Sequence, residues 1–543
     1  MFLVALDQTI VSTALGRIVE DFNAYSSLTW VVTAYLVATT LTVPIAGKLS
    51  DLVGRRRILL IGVAVFVAGS LLSGLSTNMT ELIMWRALQG IGGGIITANA
   101  FTIIGDLFEA RERGKWQGLI GAVFGISSVV GPLLGGWLTD GQSILGMTTD
   151  WRWTFFINVP IGIAAFILIA LYCPALKHAK KVTIDYWGAA LLSVALATFI
   201  FAVDNTEMIF ADLLSATGMS LAVLRVIMFT VVAAATTGFI YVERNKAKDP
   251  IIPMRFFSNS NYVKVITIAM LFGAAFMGSI LYLTQFNQQV FGASPTDSGL
   301  MLLPMVGGIM FSSILSGQLI SRTGKYKIFM QVGFTVATLA IAALTLLTPE
   351  SPYAFEAVIM VILGLGMGVA MPTLNLVVQS EFEQKDLGAA TSSNQLFRSI
   401  GTTIGTATFG ALLTAGIMTQ VPAMQDTAYI KSVSENAAIQ RVGSTDDPNT
   451  LLTLNTPNIK AQITQAAETQ LKEAPAEVQE SAKKEFESNQ NEFASKVTHA
   501  FSESLRQIFI VGAVMMAIAT VLVYTLKERT LKAASPDATP GEM

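Results

Sequence analysis

Two charged residues interrupt otherwise apolar runs. Asp7 lies in Leu6-Asp7-Gln8-Thr9-Ile10-Val11 and Arg86 in Leu82-x-x-x-Arg86-x-x-Gln89-Gly90. A charge at the centre of a bilayer costs about 2.5–3.5 kcal/mol on insertion scales, so it is expected to face a cavity and to act there. A carboxylate in that position suits a group that binds and releases protons during a cycle. Arg86 shares a helical face with Gly90, Gly93 and Thr97 and is expected to counterbalance Asp7 or tune its protonation. These two residues are the candidate proton-coupling pair; the alternatives are an Asp7 near the lipid headgroups and a purely structural Arg86 bonding nearby carbonyls. Arg398, early in its own apolar run, is a weaker candidate.

A second set of charges lies in Gly47-Lys48-Leu49-Ser50-Asp51-Leu52-Val53-Gly54-Arg55-Arg56-Arg57, a short loop wedged between two apolar runs. Gly47 and Gly54 frame the tight turn, Asp51 and Arg55 flank it, and Asp106 ends a later run on the same side. A carboxylate–guanidinium–carboxylate set at this place is expected to latch two halves of the protein together. Helix N-termini of the other half would add attraction for Asp51. A purely topogenic role is the alternative. Gly118, Gly131, Pro132, Gly135 and Gly136 fall in one run, and small residues with a proline predict a pliable, tightly packed helix between the halves. Gly278, Tyr282, Gln285 and Gln289 share a face of another run, and with Gln89 they are candidate pocket residues. Met270, Met277, Phe272, Phe276 and Phe286 nearby supply adaptable apolar surface, unless they face lipid.

Long apolar helices must position these residues. The chain has 543 residues, 52% hydrophobic and only 13% charged, where soluble proteins carry about a quarter charged. Apolar runs of about 20 residues recur along it, which predicts an all-α polytopic membrane protein with 14 transmembrane helices. Lys and Arg concentrate in alternate loops, including Arg55–Arg57, Arg111, Arg113, Arg322 and Lys325. That bias predicts a cytoplasmic side for these loops and for both termini. The stretch before Asp7 is short for a span, which leaves room for residues upstream of Met1.

The halves repeat one another. Gly47-x-Leu49-x-Asp51-x-x-Gly54-Arg55 returns as Gly317-x-Leu319-x-Ser321-x-x-Gly324-Lys325, and Gly90-x-Gly92-x-Gly94 as Gly364-x-Gly366-x-Gly368. Asp106-x-Phe108-Glu109-x-Arg111-Glu112-x-Gly114 returns as Ser380-x-Phe382-Glu383-x-Lys385-Asp386-x-Gly388. The expected organisation is a six-helix bundle over 1–175, two inserted helices over 176–250, and five helices of a second bundle over 251–416. An outer loop follows over 417–502, then the last helix over 503–526 and a cytoplasmic tail over 527–543. The outer loop reads either as a mobile ectodomain with short amphipathic helices or as a cap over the outer vestibule.

One cysteine, Cys173, excludes an internal disulfide, and His178 and His499 are too far apart to make a metal cluster together. No phosphate-binding Gly-x-x-x-x-Gly-Lys-Ser/Thr segment occurs. Clustered His or Cys or paired carboxylates at depth are lacking too, so an enzyme is not expected.

These motifs resemble the major facilitator superfamily. Gly47–Arg56 is similar to its loop 2–3 motif, Arg86–Gly90 to its helix-4 motif, and Gly131-Pro132-Leu133-Leu134-Gly135-Gly136 to its helix-5 antiporter motif. Leu6–Val11, Trp151-Arg152-Trp153-Thr154-Phe155-Phe156-Ile157-Asn158-Val159-Pro160 and the span count narrow the resemblance to the fourteen-helix drug:H+ antiporter-2 family, of multidrug efflux type. The resemblance implies efflux of amphiphilic, often cationic drugs in exchange for protons, by alternating access, with Asp7 and Arg86 in the coupling. Two departures stand out: Ser127 replaces the middle glycine of the helix-5 motif, and 390–416 holds no acidic residue. The second leaves room for neutral, zwitterionic or lipid-like substrates. The expectation is a proton-driven exporter of amphiphilic small molecules in the plasma membrane, monomeric, without cofactor, metal or nucleic-acid partner. Export of lipids, peptides or osmolytes is the alternative within transport, and a sensor or receptor using the outer loop the alternative outside it.

Overall fold

A computed structural model describes residues 1–22, 28–139, 141, 143–144, 146–174, 183, 185–203, 206–293, 295–433, 451, 454–455, 457–471, 476–529 and 531. Among them, six long helices form a first half: α1 (Phe2–Phe22), α2 (Leu28–Val53), α3 (Arg55–Gly74), α4 (Met79–Leu107), α5 (Ala110–Thr139) and α6 (Asn158–Tyr172). Two more follow, α7 (Tyr186–Val203) and α8 (Leu221–Asn245). The second half comprises α9 (Ser260–Gln289), α10 (Leu303–Thr323), α11 (Lys327–Leu344), α12 (Tyr353–Glu381), α13 (Leu387–Met418) and α14 (Ala476–Tyr524). Thirteen helices among the described residues are long and apolar enough to cross a membrane, while the apolar part of α1 spans Phe2–Val11.

The repeated glycines do the same work twice. Gly90 and Gly94 lie against the α2 backbone and Gly92 against α3. Their counterparts Gly364 and Gly368 lie against α10 and Gly366 against α11. Backbones can approach this closely only where no Cβ intervenes. The contacts between halves are reciprocal as well. Gly47 meets Gly388 and Ser392, and Gly317 meets Gly114. Since Gly47 corresponds to Gly317 and Gly114 to Gly388, exchanging the repeats exchanges the contacts, as a pseudo-twofold requires.

The α7–α8 pair packs beside this junction, with Leu192, Leu196 and Phe239 in one cluster with Leu41 and Ile45 of α2 and Leu396 and Ile400 of α13. Continuity of the last helix is where the sequence expectation fails. Instead of beginning near 503, α14 is one 49-residue helix, about 73 Å long at 1.5 Å per residue. Its amphipathic first part carries the described outer residues. Tyr429, Leu451, Leu454, Ile463, Phe493 and Val497 are buried in the same core as the second-half helices. The described part of the outer segment is therefore packed onto one half. Most of 527–543, with Lys177, His178, Lys180 and Lys181, lies outside the described residues.

Candidate functional site

Asp7 has no exposed surface, and its carboxylate accepts three side-chain donors. Arg86 Nη1 lies 2.7 Å from Oδ2, while Gln89 Nε2 and Asn158 Nδ2 lie 2.8 and 2.9 Å from Oδ1. Arg86 and Gln89 are one turn apart on α4, and Asn158 opens α6, so three helices converge on the acid. The shell continues outward. Arg86 Nη1 also donates to Gln89 Oε1 at 2.7 Å and its Nε to the Val31 carbonyl at 3.3 Å. Asn158 donates to Ser70 Oγ at 3.1 Å, and Ser70 to the Phe155 carbonyl at 2.9 Å. The guanidinium carbon stands 4.3 Å from the Tyr35 ring centroid, a cation–π contact.

Gln89 thus belongs to this cluster and not to a pocket with Tyr282, Gln285 and Gln289, which lie in the other half. Tyr282 is buried edge-on against Phe409, with ring centroids 6.1 Å apart. Gln285 and Gln289 are half-buried.

At the Arg-rich end, buried Arg55 takes two acids. It pairs with Asp51, donates from Nε to Asp106 at 2.7 Å, and reaches the Gly47 carbonyl at 3.5 Å. This triad carries one surplus negative charge. Asp51 Oδ2 also accepts the Ala389 backbone N–H at 3.1 Å, from the first turn of α13 in the other half. A helix N-terminus there supplies about half a positive charge. Gly388 is closed to any side chain, because a Cβ would meet the Asp51 carboxylate. Gly54, with φ of 107°, sits in a conformation that L side chains rarely adopt.

The glycines of α5 divide into two groups. Gly118 packs against the Ser313 backbone, whose hydroxyl donates to the Gly118 carbonyl at 2.9 Å, so this position lies between the halves. Gly131 and Gly135 instead face Thr9, Ile10 and Thr13 of α1, within the first half. They seat the helix that carries Asp7, and Thr9 donates to the Ser127 carbonyl at 2.9 Å. The reading of these two as inter-half residues is corrected accordingly: a small residue signals close approach without naming the neighbour. Pro132 lies near Gly299 of the second half, and Gly136 is half-buried.

Sequence reasoning missed several groups. Asn158 and Ser70 are neutral and give no hydropathy signal. Gln117 and Gln379 join α5 to α12 across the halves at 2.9 Å, and Gln379 also donates to the Phe101 carbonyl at 3.1 Å. Glu356, in the first turn of α12, is fully buried. Asn287, with its amide nitrogen turned toward the acid, donates to both oxygens at 2.9 and 3.0 Å. In the sequence Glu356 stands close to a loop, and nothing there signals its burial.

Two pseudo-symmetric helical bundles, joined at one end by charges and close-packed glycines, define a membrane transporter built from parallel repeats. The chain belongs to the Major Facilitator Superfamily, whose family model matches residues 1–406. That family is one of transporters, not enzymes. The chain is 38% identical over 416 residues to the multidrug transporter protein MdtP of Bacillus subtilis (strain 168), covering 76% of this chain and 74% of that one. It is 33% identical over 533 residues to multidrug resistance protein 3 of the same organism, covering 97% and 95%. Among solved structures it is similar in fold to the proton:xylose symporter XylE, with a TM-score of 0.57 and 13% identity over 98% of this chain and 95% of that one.

Proposed function

We propose that the protein exports amphiphilic or hydrophobic small molecules in exchange for protons, by alternating access. The observation that carries this reading is the buried Asp7–Arg86 pair inside one half, at 2.7 Å. A proton taken up by Asp7 frees Arg86 and loosens the junction of α1, α4 and α6. Return to the ion pair expels the proton. Each proton moving down a membrane potential of 100 mV releases about 2.3 kcal/mol, enough to drive appreciable accumulation without a cofactor. The names of the two bacterial relatives support small-molecule efflux. In this reading the Arg-rich loops and both termini are cytoplasmic, the membrane is the plasma membrane, and the closed end of the structure faces the cytoplasm. The Asp51–Arg55–Asp106 set acts as the gate there.

The test is substrate-induced proton release from reconstituted vesicles. The parent chain is expected to release protons when substrate is added, and Asp7→Asn to bind substrate without doing so. Equal proton movement by parent and mutant would remove Asp7 from the coupling step.

A further inference from the structure

Arg398 sits 11 residues after Leu387, the start of α13, and so about 16 Å along the helix axis, near mid-depth of a hydrocarbon core about 30 Å thick. The other deep arginine is fully engaged: Arg86 has Asp7, Gln89 and a carbonyl. Arg398 is different. Among the described residues no carboxylate pairs with its guanidinium and no acceptor hydrogen-bonds it. Its surroundings change at this point of the helix. All ten residues from Leu387 to Leu396 are buried, with Gly388, Ala389, Ser392 and Leu396 against the first half. From Phe397 to Ile400 every residue is half-exposed, so Arg398 stands where α13 emerges from the closed junction. The stem of the side chain lies against α9. Gly273 lies beneath its Cγ, and Gly401 and Gly405 bring the two backbones together on that side.

A guanidinium has five donors in a planar fork that matches a carboxylate, sulfonate or phosphate. Left unpaired at this depth it is costly, and such residues mark substrate pathways. We infer that Arg398 binds the acidic group of an anionic or zwitterionic amphiphile in the cleft between the halves. The inference rests on the export reading above and names its substrate class: molecules with an acid at one end and an apolar body.

The experiment is equilibrium binding to the purified full chain in phosphatidylcholine discs. The probes are a dansylated long-chain fatty acid, its methyl ester and a matched alkyltrimethylammonium. The parent is expected to bind the acid about tenfold or more tightly than either neutral or cationic partner. Arg398→Gln is expected to bring acid and ester within about twofold while leaving ester affinity unchanged, and Arg398→Lys to keep part of the preference, the charge without the fork. Ester binding reports that each variant is folded. Should Arg398→Gln lose it, the Arg398→Lys variant and displacement of the acid probe from the parent by an unlabelled alkyl sulfonate, but not by the matched alcohol, carry the test. Equal affinities in the parent, or an acid preference that survives in Arg398→Gln, overturn the inference. So does displacement of the probe by phosphatidylglycerol added to the discs, which would assign the arginine to lipid headgroups. Binding needs no proton flux, so failure of Asp7 coupling leaves this result standing.

Discussion

Removing the Asp51 charge should open the closed end. The triad of Asp51, Arg55 and Asp106 is one negative charge in surplus, and the α13 N-terminus answers that surplus only while Ala389 stays within 3.1 Å. Asp51→Asn keeps the shape and a weak acceptor for the same N–H, and Asp106 still neutralises Arg55. What is lost is the difference between a charged and a neutral hydrogen bond, about 1 kcal/mol, and the attraction of the helix end for an anion, about 1 kcal/mol in a buried setting. Together, about 2 kcal/mol shifts the ratio of closed to open forms about 30-fold, so a closed:open ratio of about 9:1 becomes about 1:3. Spin labels at exposed Arg57 and Lys385, one in each half, report this by pulsed distance measurement, after Cys173→Ser removes the sole native thiol. Asp106→Asn is the control: its carboxylate bonds Arg55 within one half and does not itself touch α13, so the distance distribution should move less than with Asp51→Asn. If Asp51→Asn leaves the distribution unmoved, or Asp106→Asn moves it as far, the electrostatic account of the gate is wrong.

Three further outcomes follow from other contacts. Asn158→Ala removes one of three donors to Asp7 and the link to Ser70; proton-coupled transport should fall about tenfold, the worth of one buried charged hydrogen bond, while substrate binding to the purified protein stays near that of the parent. Gly118→Val places a branched side chain against the Ser313 carbonyl; the protein should fold, as judged by its thermal transition, yet lose transport because α5 and α10 can no longer slide together. Phe493→Ala empties a buried ring from the outer segment and should lower stability by about 3–5 kcal/mol with transport retained, since no contact of Phe493 reaches the Asp7 cluster. Full loss of transport with stability intact would instead favour a cap that takes part in the cycle.

The deep charges were legible because polar residues stand out in apolar runs, and the first latch because acids and bases cluster where a helix turns. The rest of the Asp7 shell was not. Gln89 showed its spacing from Arg86, but nothing in the sequence says that α1 and α6 bring Asp7 and Asn158 to the same point. Those contacts depend on Gly131 and Gly135 letting α1 close on α5, a tertiary fact that local spacing leaves open. The length of α14 was hidden for a different reason. Hydropathy ends at the membrane surface, whereas the Ala, Glu, Gln and Lys residues before 503 keep forming helix.

The replacement of the acid by Ser321 in the second repeat also has a physical reason. Arg111, at the start of α5, donates from Nε to the Ser321 carbonyl at 2.7 Å and also bonds the Arg322 carbonyl. These are the free carbonyls at the end of α10, whose last turn closes on Gly324 in the left-handed conformation. A helix C-terminus carries about half a negative charge, so the end of α10 suits an arginine. On the other junction a carboxylate, Asp51, faces a helix N-terminus. The first half therefore supplies both charges, one of each sign, and the second half supplies two helix ends of matching polarity. An acid at 321 would compete with these carbonyls for Arg111. At both junctions the last turn of one helix, α2 or α10, faces the first turn of another, α13 or α5; at the first an acid on the C-terminal side meets a backbone N–H, and at the second a base on the N-terminal side meets bare carbonyls.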